Sequence, residues 1–149
     1  MFANNQRHGI GKTIFPDQSY FFGSYTNDER HGEGLFFYKN RDRYSGFWKN
    51  GKKHGKGTYI IDSSNMKLKG NWSEGQFLKG EWEIADDFKF EGKFYKNRPN
   101  GKGMFLKGGV SLEGEYKQVQ IRLENPNEVI YKKEAGQDHR ETFLLWNNA

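Results

Sequence analysis

Residues 44–59 read YSGFWKNGKKHGKGTY, and the alternation of residue types in this stretch predicts a β-hairpin. Successive side chains of a strand point to opposite faces of a sheet, so Tyr44, Gly46 and Trp48 share one face and Phe47 lies on the other. The asparagine-glycine pair that follows is typical of a tight hairpin turn. The returning strand carries a Gly-x-Gly pair before its own aromatic residue, which completes the unit.

The glycines of this hairpin indicate how it packs. Glycine inside a strand lowers stability and usually marks a place where another group approaches the backbone closely. We expect Gly55, Gly57 and Tyr59 to share a face, and the approaching group to be an aromatic ring of the next hairpin. Stacked hairpins would then bury their rings in one continuous core, which a single hairpin cannot form.

The same pattern recurs along the chain at intervals of 22 to 24 residues. The glycines that mark successive copies are Gly23, Gly46, Gly70, Gly92 and Gly114. A half copy stands at residues 8–11, and the last recognisable start is at residues 112–116. A fixed period of this length indicates a repeat architecture.

This pattern resembles the repeat of the MORN family (membrane occupation and recognition nexus), which centres on Tyr-x-Gly-x-Trp-x-x-Gly-x-x-x-Gly-x-Gly. Residues 44–57 match it without a gap, and the resemblance covers roughly residues 5–118. It implies an all-β fold, an elongated stack of antiparallel β-hairpins. We expect an array over residues 1–118 with about five units, the first and last partial.

Some copies depart from the repeat. Asp28 and Asn97 stand where the turn glycine is expected. The copy from Leu68 to Trp82 lacks the Gly-x-Gly pair and is one residue shorter across its turn. We expect these copies to be locally irregular, and the shorter one to bend the array.

The segment 119–149 reads differently from the repeats. Residues 119–123 alternate like a strand, residues 125–127 read as a turn, and residues 128–131 fit one further strand. Asp138, with an acidic residue three positions later, predicts the start of a short helix. The helix would carry the apolar cluster Phe143, Leu144 and Trp146.

Two interpretations of residues 119–149 stay open. The segment is either a strand and helix cap over the open end of the stack, or a docking tail. In the second case Phe143, Leu144 and Trp146 would insert into the groove of a partner protein.

No set of residues indicates catalysis. The chain has no cysteine, which excludes disulfides, thiolate nucleophiles and zinc-cysteine sites. His8, His31 and His54 each precede a Gly-x-Gly pair, so the repeat itself accounts for them. The glycine clusters lack the spacing of a phosphate-binding loop. We therefore predict no catalytic residue, no bound cofactor and no metal, and a protein that is not an enzyme.

Two surface features carry the functional predictions. The face opposite the glycines would present the apolar residues Phe22, Leu35, Phe37, Phe47 and Ile60, more than a solvated sheet face needs. We interpret them as a partner-binding surface. At the turns, a basic stripe for anionic lipid would contain Arg30, Lys52, Lys53 and Arg98, beside His31 and His54.

Charge limits the choice of partner. The chain has a net charge of +5, and the excess is spread over residues 1–118 among acidic side chains, so we do not expect nucleic acid. We expect a non-catalytic scaffold that binds and positions proteins in a larger assembly. A peripheral membrane module that binds anionic phospholipids through the basic stripe is the alternative.

The resemblance implies a setting as well. Similar proteins occur in cytoskeletal assemblies, including the radial spokes of the axoneme, so we expect a cytoplasmic, cytoskeleton-associated protein of a cilium or flagellum. We expect neither a signal peptide nor a transmembrane helix. The open sheet end also leaves self-association, as a homodimer, as an expectation.

Overall fold

The computed structural model of the chain describes residues 2–3, 5–117, 119–122 and 129–132. All the regular secondary structure in these residues is β-strand, as the residue pattern of the repeats predicts. The strands are β1 (Phe2–Ala3), β2 (Gln6–Arg7), β3 (Gly9–Ile14), β4 (Tyr20–Thr26), β5 (Glu29–Phe37), β6 (Arg43–Lys49), β7 (Lys52–Ile61), β8 (Met66–Ser73), β9 (Gln76–Ala85), β10 (Phe88–Tyr95), β11 (Arg98–Lys107), β12 (Val110–Tyr116), β13 (Val119–Arg122) and β14 (Val129–Lys132).

Strands β3 to β12 form one ten-stranded antiparallel sheet, in which each strand pairs with its neighbours along the chain. The all-β stack of hairpins is therefore confirmed. Two short pairs, β1 with β2 and β13 with β14, form separate two-stranded sheets. The two strands predicted within residues 119–131 are confirmed by the second of these pairs. The predicted turn at residues 125–127 and the predicted helix lie outside the described residues.

The core is a row of aromatic rings on one face of the sheet. We call this the inner face; it carries Tyr44 and Trp48, which are 0% and 2% exposed. The Tyr44 ring lies 5.1 Å from Trp48 within its own strand and 5.3 Å from Trp72 of the next hairpin, both edge to face. Each hairpin therefore buries its rings against the next, as the repeat predicts. The opposite side, which carries Phe47, is the outer face.

The two glycines of a Gly-x-Gly pair have different roles. Gly55 has φ +69° and nothing but the Phe47 side chain near the place of a Cβ, so its left-handed backbone requires glycine. Gly57 has its own reason, because a Cβ there would overlap the Tyr44 ring of the same hairpin. The expectation that a ring of the next hairpin approaches the glycines was wrong. The ring belongs to the paired strand, where Gly46 lies directly opposite Gly57.

The turns are more uniform than the sequence predicts. Asn50 and Gly51 have φ +50° and +79°, and the pair 27–28, which ends in Asp28, has +49° and +68°. The pair 96–97, which ends in Asn97, has +51° and +62°. The expected irregularity at Asp28 and Asn97 was therefore wrong. Asp and Asn tolerate this left-handed conformation better than other side chains, so the turn keeps its geometry without glycine.

The hairpin from Leu68 to Trp82 differs in the returning strand. Gly70 faces Gly80, and two steps from Gly70 to Trp72 match three steps from Phe77 to Gly80. In the regular hairpin two steps from Gly46 to Trp48 match four steps on the returning strand. The missing residue therefore shortens the bulge and leaves the pairing on both sides of it intact.

Backbone hydrogen bonds join the tips of adjacent hairpins. The amide of Asp28 donates to the Arg7 carbonyl at 2.9 Å, and that of Gly51 donates to the Arg30 carbonyl at 3.0 Å. The amide of Gly75 donates to the carbonyl of Lys53 at 3.1 Å. These bonds link one hairpin to the next outside the sheet ladder, so the tips are held in a fixed order.

Candidate functional site

An apolar patch covers the outer face of the first strands of the sheet. Phe22 and Phe47 are 51% and 43% exposed, and Leu35, Phe37 and Ile60 are half-buried. All five lie on the outer face, as strand alternation predicts. Phe22 lies directly opposite Leu35, so the structure makes these two predicted residues cross-strand neighbours.

Three further residues belong to the same surface. Ile10 and Ile14 are 70% and 67% exposed, and Tyr20 is half-buried. Strand parity could have identified the two isoleucines, because they alternate with the glycines of β3. We call the whole surface the apolar patch; it contains Ile10, Ile14, Tyr20, Phe22, Leu35, Phe37, Phe47 and Ile60.

The patch is ordered in rows that cross the strands. In one row the direct cross-strand neighbours are Ile14, Tyr20, Phe37, Arg43 and Ile60. The rings of Tyr20 and Phe37 stack with their centres 5.3 Å apart. Cross-strand aromatic pairs of this kind stabilise a sheet face. The patch is therefore a preformed surface held by the sheet.

The outer face changes character at β8. Lys69 forms an ion pair with Glu83 at 2.9 Å, and Lys89 contacts Glu81 at 3.1 Å and Glu91 at 3.4 Å. The hydrogen bond from Lys89 lowers the pKa of Glu81. Charges on this half of the face find partners on neighbouring strands, so a ring-rich surface and a charge-paired surface lie side by side on one sheet.

The predicted basic stripe is not a continuous exposed edge. Lys53 is 1% exposed, and burial, with the nearby charge of Arg30, lowers the pKa of Lys53 to about 8. Arg30 is half-buried, with its guanidinium 4.9 Å from the centre of the Trp48 ring. The expectation that these side chains line an exposed edge was wrong. Each stands two residues before the first glycine of a Gly-x-Gly pair, and a side chain at that position faces the inner rings.

The other two stripe residues lie nearer the surface. Lys52 is exposed and bound to Glu74 at 3.1 Å. Arg98 is half-buried. The predicted stripe is thus divided between two core positions, an ion-paired lysine and a half-buried arginine.

A groove of about 780 Å³ lies over the later glycine positions. Its floor contains Gly92, Gly103 and Gly114, and its walls carry lysines and glutamates: Lys79, Lys102, Lys117, Glu91, Glu113 and Glu115. Opposite charges alternate around this groove. Its charge therefore does not select an anion or a cation.

The histidines lie apart from one another. His8, His31 and His54 stand at corresponding places on successive hairpins, about 10 Å apart for two strand spacings. Within the part of the chain that the structure describes, no three His, Cys, Asp or Glu residues stand close enough to hold a metal ion.

Two further points concern membrane-spanning helices and the predicted docking residues of the C-terminal segment. In the described segments the structure has no helix with the length and apolar character needed to cross a bilayer. The predicted docking residues Phe143, Leu144 and Trp146 lie outside the described residues.

Comparison with protein families gives a match to the MORN repeat over residues 1–20, 21–43, 44–66 and 90–108. These stretches cover more than half of the chain. The region between them, residues 67–89, contains the hairpin that lacks the Gly-x-Gly pair. No curated protein sequence matches the chain.

Proposed function

Because the chain belongs to the MORN repeat family, whose repeats are modules for binding proteins or membranes, we propose that it is a non-catalytic scaffold. In this role it binds and positions other proteins within a larger assembly. The observation that carries the proposal is the apolar patch, with Phe22 51% exposed and Phe47 43% exposed. Exposed apolar residues grouped on one face of a rigid sheet are typical of interaction sites.

The construction of the sheet supports a scaffold role. The inner rings bury every hairpin against the next, while Phe22 and Phe47 are left on the outer face without a role in that core. The hydrogen bonds between hairpin tips hold the outer face in one arrangement. A partner therefore meets a preorganised surface, which lowers the entropy cost of association.

Membrane binding through the basic stripe is the second candidate, and it receives less support. Arg30 packs on the inner rings, and Lys53 is buried among them. Lys52 is already paired with Glu74. Phospholipid headgroups are attracted by basic side chains at the surface, so the residues that remain give a weak site.

We further propose the cellular setting that the family resemblance suggests. The protein would act in the cytoplasm as part of a cytoskeletal assembly, with the radial spokes of a ciliary or flagellar axoneme as the leading setting. Residues 1–118 would form the array, and residues 119–149 would cap it or dock to a partner through Phe143, Leu144 and Trp146. Self-association as a homodimer belongs to the same proposal.

The test compares partner capture by three tagged proteins in a ciliated cell. They are the wild type, a patch variant with Phe22→Ser and Phe47→Ser, and a control with Val110→Ser and Leu112→Ser. The control residues are each 67% exposed but lie at the other end of the sheet. We expect the wild type and the control to retain the same cytoskeletal proteins, and the patch variant to lose them.

Sedimentation with vesicles of phosphatidylcholine and phosphatidylserine runs in parallel. Equal capture of partners by all three proteins would show that the apolar patch does not bind them. Salt-sensitive vesicle binding without a stoichiometric protein partner would replace the scaffold with the membrane module. Localisation of the tagged wild type away from the axoneme would contradict the proposed setting.

A further inference from the structure

We infer that the apolar patch binds an acidic amphipathic segment of a partner protein, with Arg43 binding one of its carboxylates. The inference rests on the proposed protein-binding function and specifies the chemistry of the partner. It follows from how charge is distributed on the outer face.

Basic side chains predominate around the patch. Lys12 lies opposite Phe22, and its ammonium nitrogen is 4.6 Å from the centre of the Tyr20 ring. By strand alternation, Arg43, Lys49 and Lys56 share this outer face. The acidic side chains on the same strands of the outer face are Glu33, opposite Phe47, and Glu29, opposite Thr26. The surface therefore carries a positive excess beside its rings, which an acidic partner would complement.

Arg43 holds the most informative position. Its direct neighbours across the strands are Phe37 and Ile60, so the guanidinium lies within an apolar row. Its Nε is buried and has no hydrogen-bond partner among the described residues. A desolvated donor without an acceptor is costly. A carboxylate is the acceptor that best matches the geometry of a guanidinium, because it can accept two parallel N–H bonds.

The second half of the outer face provides an internal comparison. There Lys69 meets Glu83 and Lys89 meets Glu81, each across neighbouring strands. The same sheet geometry thus supplies acidic partners for Lys69 and Lys89. Beside Arg43 the corresponding cross-strand positions hold Phe37 and Ile60, so a partner molecule is the source of a carboxylate for its guanidinium.

The dimensions of the patch fit a short helix. The row from Ile14 to Ile60 crosses five strands, a distance of about 19 Å at the usual strand spacing. A helix of about 13 residues has that length. Apolar side chains at positions i, i+3, i+4 and i+7 would cover the rings, and a glutamate or aspartate beside them would reach Arg43.

An anionic membrane fits this surface less well. Arg43 lies between Phe37 and Ile60, both half-buried, where a directional carboxylate reaches it more readily than a bilayer surface does. We therefore favour a protein segment, and vesicles serve as the competing arm of the test.

The experiment uses two synthetic helical peptides of about 14 residues. Both have leucine at i, i+3, i+4 and i+7, and they differ in carrying glutamate or lysine at the flanking positions. Each is titrated into the isotope-labelled full chain, with amide chemical shifts as the readout. We expect the glutamate peptide to bind about tenfold more tightly than the lysine peptide, with the largest shifts at Phe22, Phe37 and Arg43.

Three variants assign the charge selectivity. Arg43→Gln should weaken binding of the glutamate peptide by about tenfold, and Arg43→Lys should restore part of the loss. Lys93→Gln removes an exposed lysine from the far half of the outer face and should change the affinity by less than about twofold. Thermal unfolding of each variant checks that the sheet is intact.

The outcomes separate this inference from the proposed function. Equal affinity for the two peptides, or an affinity that Arg43→Gln leaves unchanged, overturns the inference. Binding to phosphatidylserine vesicles that depends on Arg43, without binding of the glutamate peptide, overturns it in favour of a membrane. If the patch variant loses its cellular partners while Arg43→Gln keeps them, the scaffold function is supported and the acidic partner segment is ruled out.

Discussion

The ammonium nitrogen of Lys53 lies 5.4 Å from the centre of the Trp72 ring, which belongs to the next hairpin. A charged side chain is thus part of the core that joins two repeats. The rings of Tyr38, Tyr44 and Tyr59 lie within 5.3 to 5.8 Å of the same nitrogen. Such contacts offset part of the cost of burying a cation. The position that corresponds to Lys53 is occupied by Arg30 in the preceding hairpin and by Phe77 in the following hairpin.

Stability should rise with pH between about 8 and 10. Burial lowers the pKa of Lys53 to about 8 from 10.5, so across this interval the unfolded chain binds a proton that the folded chain has released. The contribution of Lys53 to the free energy of unfolding then increases with pH, by about 2 kcal/mol across this interval. Below pH 8 both states are protonated and the penalty is constant. Denaturant unfolding at several pH values measures the rise.

Above pH 10 the trend should reverse. Burial raises the pKa values of Tyr38, Tyr44 and Tyr59, so the tyrosines of the unfolded chain ionise first and stability falls.

Lys53→Met should abolish the rise between pH 8 and 10, whereas Lys52→Met, at the exposed neighbour, should leave it intact. A rise of equal size in both variants would show that Lys53 is not its source.

Removing the Trp48 ring should destabilise the stack strongly. Trp48 is 2% exposed, packs edge to face on Phe21 at 5.3 Å and donates its Nε1 hydrogen to the Gly34 carbonyl at 3.1 Å. Trp48→Ala should cost about 3 to 5 kcal/mol in denaturant unfolding. Phe47→Ala, one residue earlier on the outer face, should cost less than about 1 kcal/mol. Similar losses for both would mean that Trp48 is not in the core.

The glycines should differ in their tolerance of side chains. Gly57→Ala places a methyl group against the Tyr44 ring, and we expect a loss of about 1 to 3 kcal/mol from overpacking. Gly51 has φ +79° with open space at its Cβ. Gly51→Asn should change the stability by less than about 1 kcal/mol, because Asn97 adopts the same turn conformation. The reverse order of losses would refute this assignment of roles.

Loss of the tyrosine hydroxyl that donates to the buried carboxylate of Asp42 should cost more stability than loss of a hydroxyl that donates to a neutral carbonyl. The Tyr59 hydroxyl donates to Asp42 Oδ2 at 2.7 Å, and that of Tyr44 donates to the neutral Phe47 carbonyl at 2.9 Å. Tyr59→Phe should cost about 1.5 to 3 kcal/mol, and Tyr44→Phe about 0.5 to 1.5 kcal/mol. Unfolding of the two variants under the same conditions makes the comparison, and equal losses would contradict it.

The fold could be predicted because its determinants are local and periodic. The five-residue alternation at Tyr44 to Trp48 predicts which face each side chain takes, and the register confirms it. The turns at Asp28 and Asn97 were not predicted, because the absence of glycine indicated irregularity, whereas both side chains adopt the left-handed conformation that the turn requires. Of the candidate site, parity predicted the five original patch residues and could also have predicted Ile10 and Ile14.

The sequence by itself determined the repeat, the hairpins, the inner position of Trp48 and the outer position of Phe47, because the side-chain direction in a strand depends on parity alone. The tertiary structure decided the rest. Lys53 is buried because rings of two hairpins surround it: it pairs with Trp48 of its own hairpin, and its ammonium nitrogen lies 5.4 Å from the Trp72 ring of the next. Arg43 lies between apolar neighbours because Phe37 and Ile60, from different hairpins, pair with it. Contacts between residues distant in the chain depend on the pairing of strands, which the composition of any one strand does not specify.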